Sequence, residues 1–198
     1  MNPASGDAAS NLLYDVYVAE LRVHAITLIW LGYRRLPIAT LGAAEEDHIT
    51  GELVRAMKLV VRDPYSPVWV DHYEIREQTP QNIAERHGKC RPRMDIEVER
   101  HQRGPRPCLG FEAKRLGRGN TIGDYLGSEG LGAFLTSYYP TTHGEAGMLG
   151  YVQENGCDEW LVRIRTELSV NSSWHHIAEG GELKPMDVAH SVRAYTSG

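Results

Sequence analysis

A mixed α/β domain is what this sequence predicts, on three observations. Two segments before residue 62 carry apolar residues at three- and four-residue steps, the period of helices packed on a core. Two strand-like runs, Met94–Glu99 and Cys108–Lys114, meet across the turn-prone Arg103-Gly104-Pro105. A third apolar run, Gly147–Gln153, follows a glycine-punctuated helical stretch, giving strands interleaved with helices.

In chain order, residues 1–10 are small and polar and are expected to be loose. Leu12–Tyr33 reads as a helix apolar on more than one side, the pattern of a helix buried against its own domain or a second subunit, and Leu36-Pro37 ends it. Glu45–Val61 reads as a second helix with its stripe at Ile49, Leu53, Ala56, Met57 and Val60. At ~100° per residue Glu46 falls inside that buried arc, Glu45 and Glu52 lie nearer its edge and Asp47 points away. Val68–Glu77 is expected to be a strand closed by the Thr79-Pro80 break, and the hairpin strands come next. Gly117–Gly123 reads as a flexible joint. Asp124–Tyr139 reads as one helix whose Gly127, Gly130 and Gly132 permit close packing on a sheet. Gly147–Gln153 is a short buried strand, Asp158–Leu168 a helix with Asp158 as N-cap, and Leu183–Val192 a last strand.

Composition fits one domain. The chain has 198 residues, and 41% of them are apolar, with four Trp and ten Tyr, enough for a proper core and against disorder. No apolar run reaches the roughly 18 residues that span a bilayer, since Val23–Leu31 is short and bracketed by Arg22 and Arg34. The N-terminus has no basic start leading into an apolar stretch, so it does not read as a secretory signal, and Cys90, Cys108 and Cys157 fit reduced thiols better than a disulfide framework or a zinc site. A cytoplasmic location is expected.

The chemistry concentrates in the hairpin. Folding symmetrically about Arg103 and Gly104 sets Asp95 opposite Glu112, while alternation puts Glu112 and Lys114 on one face and Ala113 on the other. Two like charges held close favour a cation between them, and a small hard cation such as Mg²⁺ takes carboxylate oxygens and waters. A lysine beside such a site can orient a water or lend charge to a phosphoryl centre, which suggests phosphodiester hydrolysis.

Asp95, followed 17 positions later by Glu112-Ala113-Lys114, resembles the active-site signature of the PD-(D/E)XK nuclease superfamily, which includes many restriction endonucleases. The proline of that motif does not directly precede the aspartate; Pro92-Arg93-Met94-Asp95 is a looser version. The resemblance implies a restriction-endonuclease-like core, a central mixed β-sheet of about four to five strands flanked by helices. That core would run from about residue 45 to 167 of a single 1–198 domain, with an N-terminal helical extension and a C-terminal extension. It further implies a Mg²⁺-dependent nuclease, with Mn²⁺ as substitute, using Asp95, Glu112 and Lys114. The metal would be held by Asp95, Glu112 and the carbonyl of Ala113, with Glu46 as a further acidic ligand from the preceding helix. Small members commonly serve restriction, phage defence, mobile-element or repair systems, so a homo-oligomer or a larger defence complex is the expected assembly.

Net charge is −5, but residues 86–118 hold ten Lys/Arg against four acids, a local +6 that leaves −11 for the remainder. Arg100, Arg103, Arg106, Arg115 and Arg118 are the expected nucleic-acid contacts, with DNA preferred to RNA as the ligand. The plain alternative is a solvated basic loop. Glu97 is expected opposite Gly110, as a peripheral ligand or as charge on the sheet edge. Tyr125 and Glu129 stand one helical turn apart, and Gln153 ends a strand near a phosphate or merely ends it. His175, His176 and His190 match no helix-borne ligand spacing and are set aside. Two other functions use the same residues: a catalytically silent nucleic-acid-binding or scaffolding subunit, and an ion-pair network in which Lys114 neutralises the two acids.

Overall fold

The computed structural model describes residues 5–81, 93–117, 121–136 and 144–175, together with Gly119 and Tyr139. Helix α1 (Ser5–Tyr33) begins well before the apolar pattern does, because Ala8 and Ala9 extend it by helix propensity where no stripe announces it. A single turn, α2 (Ile38–Leu41), follows Pro37, and α3 (Glu46–Arg62) matches the expected second helix, with Glu45 outside it as N-cap. Seven of its residues are buried, among them the expected Ile49, Leu53, Ala56, Met57 and Val60.

Val68–Glu77 is not one strand. Val68–His72 forms a 3₁₀ turn entered from Pro67, which buries Trp69 and Val70 and leaves Val68 in solvent, and β1 (Tyr73–Pro80) starts only after it. The strand also runs through the expected Thr79-Pro80 break, with Pro80 paired to Arg93. Proline is tolerated there because β1 is a sheet edge. The hairpin strands are β2 (Arg93–Arg100) and β3 (Cys108–Leu116).

The expected single helix over 124–139 is instead two short ones, α4 (Ile122–Leu126) and α5 (Leu131–Leu135). A reciprocal Thr121–Asp124 capping box starts α4. Between the two helices the chain folds back onto its own carbonyls: a Cβ on Gly127 would lie 2.2 Å from the Gly123 oxygen, and one on Gly130 2.0 Å from that of Tyr125. Strand β4 (Gly147–Val152) is half-buried rather than buried, as the other edge of the sheet. Helix α6 (Cys157–Val170) is capped by Gly156, and Asp158 lies in its first turn rather than at the cap. The expected strand at Leu183–Val192 lies outside the described residues.

Among the described residues the sheet is four-stranded and mixed, in the order β1-β2-β3-β4, with β1–β2 and β2–β3 antiparallel and β3–β4 parallel. Helices flank it, so the mixed α/β architecture read from the sequence is the one adopted. The main core joins Leu21, Ala25 and Leu28 of α1 and Leu53, Val54, Met57 and Val60 of α3 to Ile75, Ile96, Val98, Leu109 and Phe111 of the sheet. The two helices approach closely at Gly32, where a Cβ would meet the Met57 side chain at 2.6 Å. His24 stacks on Trp69 at 4.1 Å, and its Nδ1 pairs with the Tyr73 hydroxyl at 2.7 Å. A second, smaller apolar cluster gathers Met94, Ala133, Phe134 and Tyr139. No helix of the described residues is long and apolar enough to cross a membrane.

Candidate active site

The β2–β3 ladder pairs Ile96 with Phe111, Glu97 with Gly110, Val98 with Leu109 and Glu99 with Cys108, the register symmetric about Arg103 and Gly104. One step beyond the Ile96–Phe111 pair stand Asp95 and Glu112. There a side chain replaces the ladder: the Ala113 N–H donates to Asp95 Oδ2 at 2.9 Å. The other oxygen, Oδ1, accepts from the Gln78 side-chain amide at 3.0 Å. Lys114 Nζ donates to Glu112 Oε1 at 2.7 Å and to Glu46 Oε1 at 3.2 Å, and the Arg115 N–H donates to Glu46 Oε2 at 2.9 Å. Helix α3 thus delivers its first residue to the same ammonium that the hairpin supplies.

The electrostatics of this group are unbalanced. Burial pushes the Glu112 carboxyl up to about 7, the nearby Asp95 charge adds to the rise, and Lys114 and the Tyr139 hydroxyl only partly oppose it. Glu112 is 4% exposed, and no donor reaches its Oε2 at hydrogen-bond geometry. Asp95 is also raised, by burial that outweighs its Ala113 hydrogen bond and the Lys114 charge. Burial alone would lower Lys114, but its hydrogen bonds and charge contacts with Glu112 and Glu46 prevail and hold it above the usual lysine range. The ammonium therefore stays charged while at least one carboxyl beside it shares its proton with solvent near neutrality.

The chain matches no family model, no curated protein and no solved structure. Its chemistry rests on its own residues. Among the described residues no three His, Cys, Asp or Glu side chains stand as a closed metal cage. The donor set that does fit a hard cation is Asp95 and Glu112 with the adjoining Ala113 carbonyl, and Glu46 is tied in through Lys114. Glu112 Oε2, buried and lacking a donor, is the observation that makes the fit, since a carboxylate oxygen in that state is stabilised by a cation.

The basic residues divide. Arg103 and Arg106 are exposed on the hairpin loop. Arg100 does not join them: it is 6% exposed, its guanidinium lies 3.8 Å from the Tyr17 ring centroid, and it donates to the Pro105 carbonyl at 3.2 Å. It holds the loop against α1. Arg115 pairs with Glu45 at 2.8 Å, and Arg118 lies outside the described residues.

Glu97 sits opposite Gly110 as the symmetric register requires, accepting from Gln81 Nε2 at 3.1 Å and from Arg76 at 3.4 Å. Gln153 ties chain segments together, donating to the carbonyls of Ala44 at 2.8 Å and Leu41 at 3.3 Å. Tyr125 lies on α4, where burial raises its hydroxyl to about 12, but Glu129 falls in the turn after that helix, so the two are not one helical turn apart. His175 is buried at the end of α6, and His176 and His190 lie outside the described residues. Sequence reasoning missed Gln78 and Tyr139. Neither carries a signal, since Gln78 falls just past the expected strand end and Tyr139 inside an expected helix.

Proposed function

We propose that this protein is a metal-dependent phosphodiesterase acting on nucleic acid, a nuclease of the PD-(D/E)XK kind. The observation that carries the reading is the gathering of the three charged residues on adjacent strands, Asp95 bound to the Ala113 N–H and Lys114 to Glu112 Oε1, with Glu112 Oε2 buried and without a donor at hydrogen-bond geometry. Asp95, Glu112 and the Ala113 carbonyl would hold Mg²⁺ or Mn²⁺, with Glu46 as the additional acid. Bound there, the cation supplies a Lewis acid for a phosphoryl oxygen and acidifies water.

The chain's own groups do the rest. The Ala113 N–H and the Gln78 amide fix the Asp95 carboxylate from both oxygens. Glu112, whose carboxyl burial raises to about 7, would be the ligand whose ionised form a bound cation favours most. Lys114, kept protonated by its two carboxylates, presents a fixed positive charge to the oxygens that gain charge in the displacement. The exposed Arg103 and Arg106 offer phosphate contacts on the hairpin loop. A purely structural ion-pair network would keep its carboxyls in or below their ordinary range, and the raised Glu112 and Asp95 argue against that. A restriction or defence role, DNA as the preferred substrate, and a homo-oligomeric or larger assembly belong to the same reading.

The test is incubation of the full chain with single- and double-stranded DNA and RNA in Mg²⁺ or Mn²⁺, beside Asp95→Asn and Glu112→Gln. Cleavage by the wild type that both variants lose is the expected result. Uncut nucleic acid of every kind under both metals rejects the proposal.

A further inference from the structure

Gln78 is the one non-glycine residue at positive φ within a described strand, at φ 49, two residues before the end of β1. Glutamine has no intrinsic preference for that region, and such residues persist where surrounding structure holds them. The β1–β2 ladder pairs Glu77 with Ile96 and Thr79 with Met94, and between those pairs Gln78 and Asp95 face each other outside the ladder. On its other side Asp95 also leaves the ladder, taking the Ala113 N–H on its side chain. Pairing on both sides of β2 is thus interrupted or ended at Asp95, and on each side a hydrogen bond to its carboxylate stands in place of the ladder.

We infer that Gln78 is a positioning residue, whose side-chain amide, donated to Asp95 Oδ1 from a strained backbone position, fixes the carboxylate so that it presents its remaining lone pairs to a divalent cation. The inference rests on the function proposed above. A carboxylate free to rotate loses affinity for a hard cation with a defined ligand geometry, and partners that orient a ligand typically matter by roughly ten- to a hundredfold in metal affinity. The strain is confined to that break in the ladder, since the pairs on either side, Glu77 with Ile96 and Thr79 with Met94, keep one register.

Glycine and asparagine separate the amide from the backbone, since both accept positive φ while Gly lacks the amide and Asn falls one carbon short of Asp95. Calorimetric titration of Mn²⁺ into the full chain, and thermal unfolding in chelator, are measured for the wild type, Gln78→Gly and Gln78→Asn. The expected result is Mn²⁺ affinity lowered roughly tenfold or more in both variants, with a melting temperature equal to or above that of the wild type and with nuclease activity recovered at raised Mn²⁺. Variants that bind as the wild type does overturn the role of Gln78 and leave the site standing. Weakened binding accompanied by a lower melting temperature in both variants makes Gln78 merely structural and also overturns it. A wild type that binds no Mn²⁺ overturns the site itself and the inference with it.

Discussion

Two groups on this sheet have the same composition and opposite chemistry. In one, Arg76 meets Glu74 at 2.7 Å, Glu99 at 2.6 Å and Glu97 at 3.4 Å, three carboxylates around one cation. In the other, Lys114 stands among Glu46, Asp95 and Glu112 but hydrogen-bonds only Glu46 and Glu112. The guanidinium presents a planar fork of five donors and reaches all three of its acids, whereas the ammonium is a compact charge with three. Glu74 accordingly sits below its ordinary value, through its hydrogen bond to Arg76, while Asp95 and Glu112 sit above theirs, through burial. The Arg76 group is a finished network. The Lys114 group carries the same count of charges but buries them, so two of its acids stand above their ordinary range, the pattern expected of the site proposed above.

The sharpest break between the two groups is in activity. Lys114→Ala should lower the cleavage rate by roughly 10²–10³-fold at saturating metal, the usual loss for one donor aimed at transition-state charge, while nucleic-acid affinity stays nearly unchanged. Arg76→Ala should leave the rate within a few-fold. Single-turnover cleavage and equilibrium binding on the same preparations decide it, and a Lys114→Ala protein cutting at the wild-type rate would remove the distinction between the groups.

Stability against pH comes next. Glu112 is raised from 4.5 to about 7, so the native state holds this proton more tightly than the unfolded chain. Its contribution is full below about 4.5 and is lost as pH rises through about 7, by up to ~3 kcal/mol. In chelator, Glu112→Gln should therefore gain on the wild type between pH 5 and pH 8 (roughly the span of that titration), as read by denaturant midpoints. Glu99→Gln, which removes one partner of Arg76, should show no such gain.

A smaller effect is expected on cation binding. Asp95→Asn should weaken Mn²⁺ by roughly tenfold or more, since even an outer partner of a ligand contributes that much, and Glu97→Gln should change it little; calorimetry with both variants checks the pair. Smallest of all, replacing Arg103 and Arg106 by Ser should flatten the log–log salt dependence of DNA binding by about 0.7 to 0.9 per lost contact. Arg100→Ser belongs to a different class and should lower the melting temperature, because its guanidinium holds the hairpin loop.

Strand alternation and a symmetric turn were enough to set Glu97 opposite Gly110 and to bring Asp95 and Glu112 to the step just past the paired residues, because register in a short hairpin is a local property. Helical periodicity likewise brought Glu46 to the sheet-facing side of α3. What stayed hidden depends on tertiary context. Val68-Trp69-Val70 has strand composition but winds into a 3₁₀ turn after Pro67, and Arg100 looks like a loop cation until Tyr17 of α1 is found under it. Gln78 was illegible for a deeper reason: a left-handed residue that is neither Gly nor Asn leaves no trace in sequence.

The hairpin also has a temporal meaning. Asp95, Glu112 and Lys114 sit on adjacent strands joined by a short loop, whereas the Glu46–Lys114 contact spans 68 residues and β4 joins β3 only after a long crossover. Loop closure favours near neighbours, so the hairpin is expected to bring the two acids together before the helix or the last strand docks. Their repulsion would oppose that early step if the hairpin carried no counter-charge. Lys114 lies on the same strand as Glu112, two residues on, so the nascent hairpin brings its own cation with it.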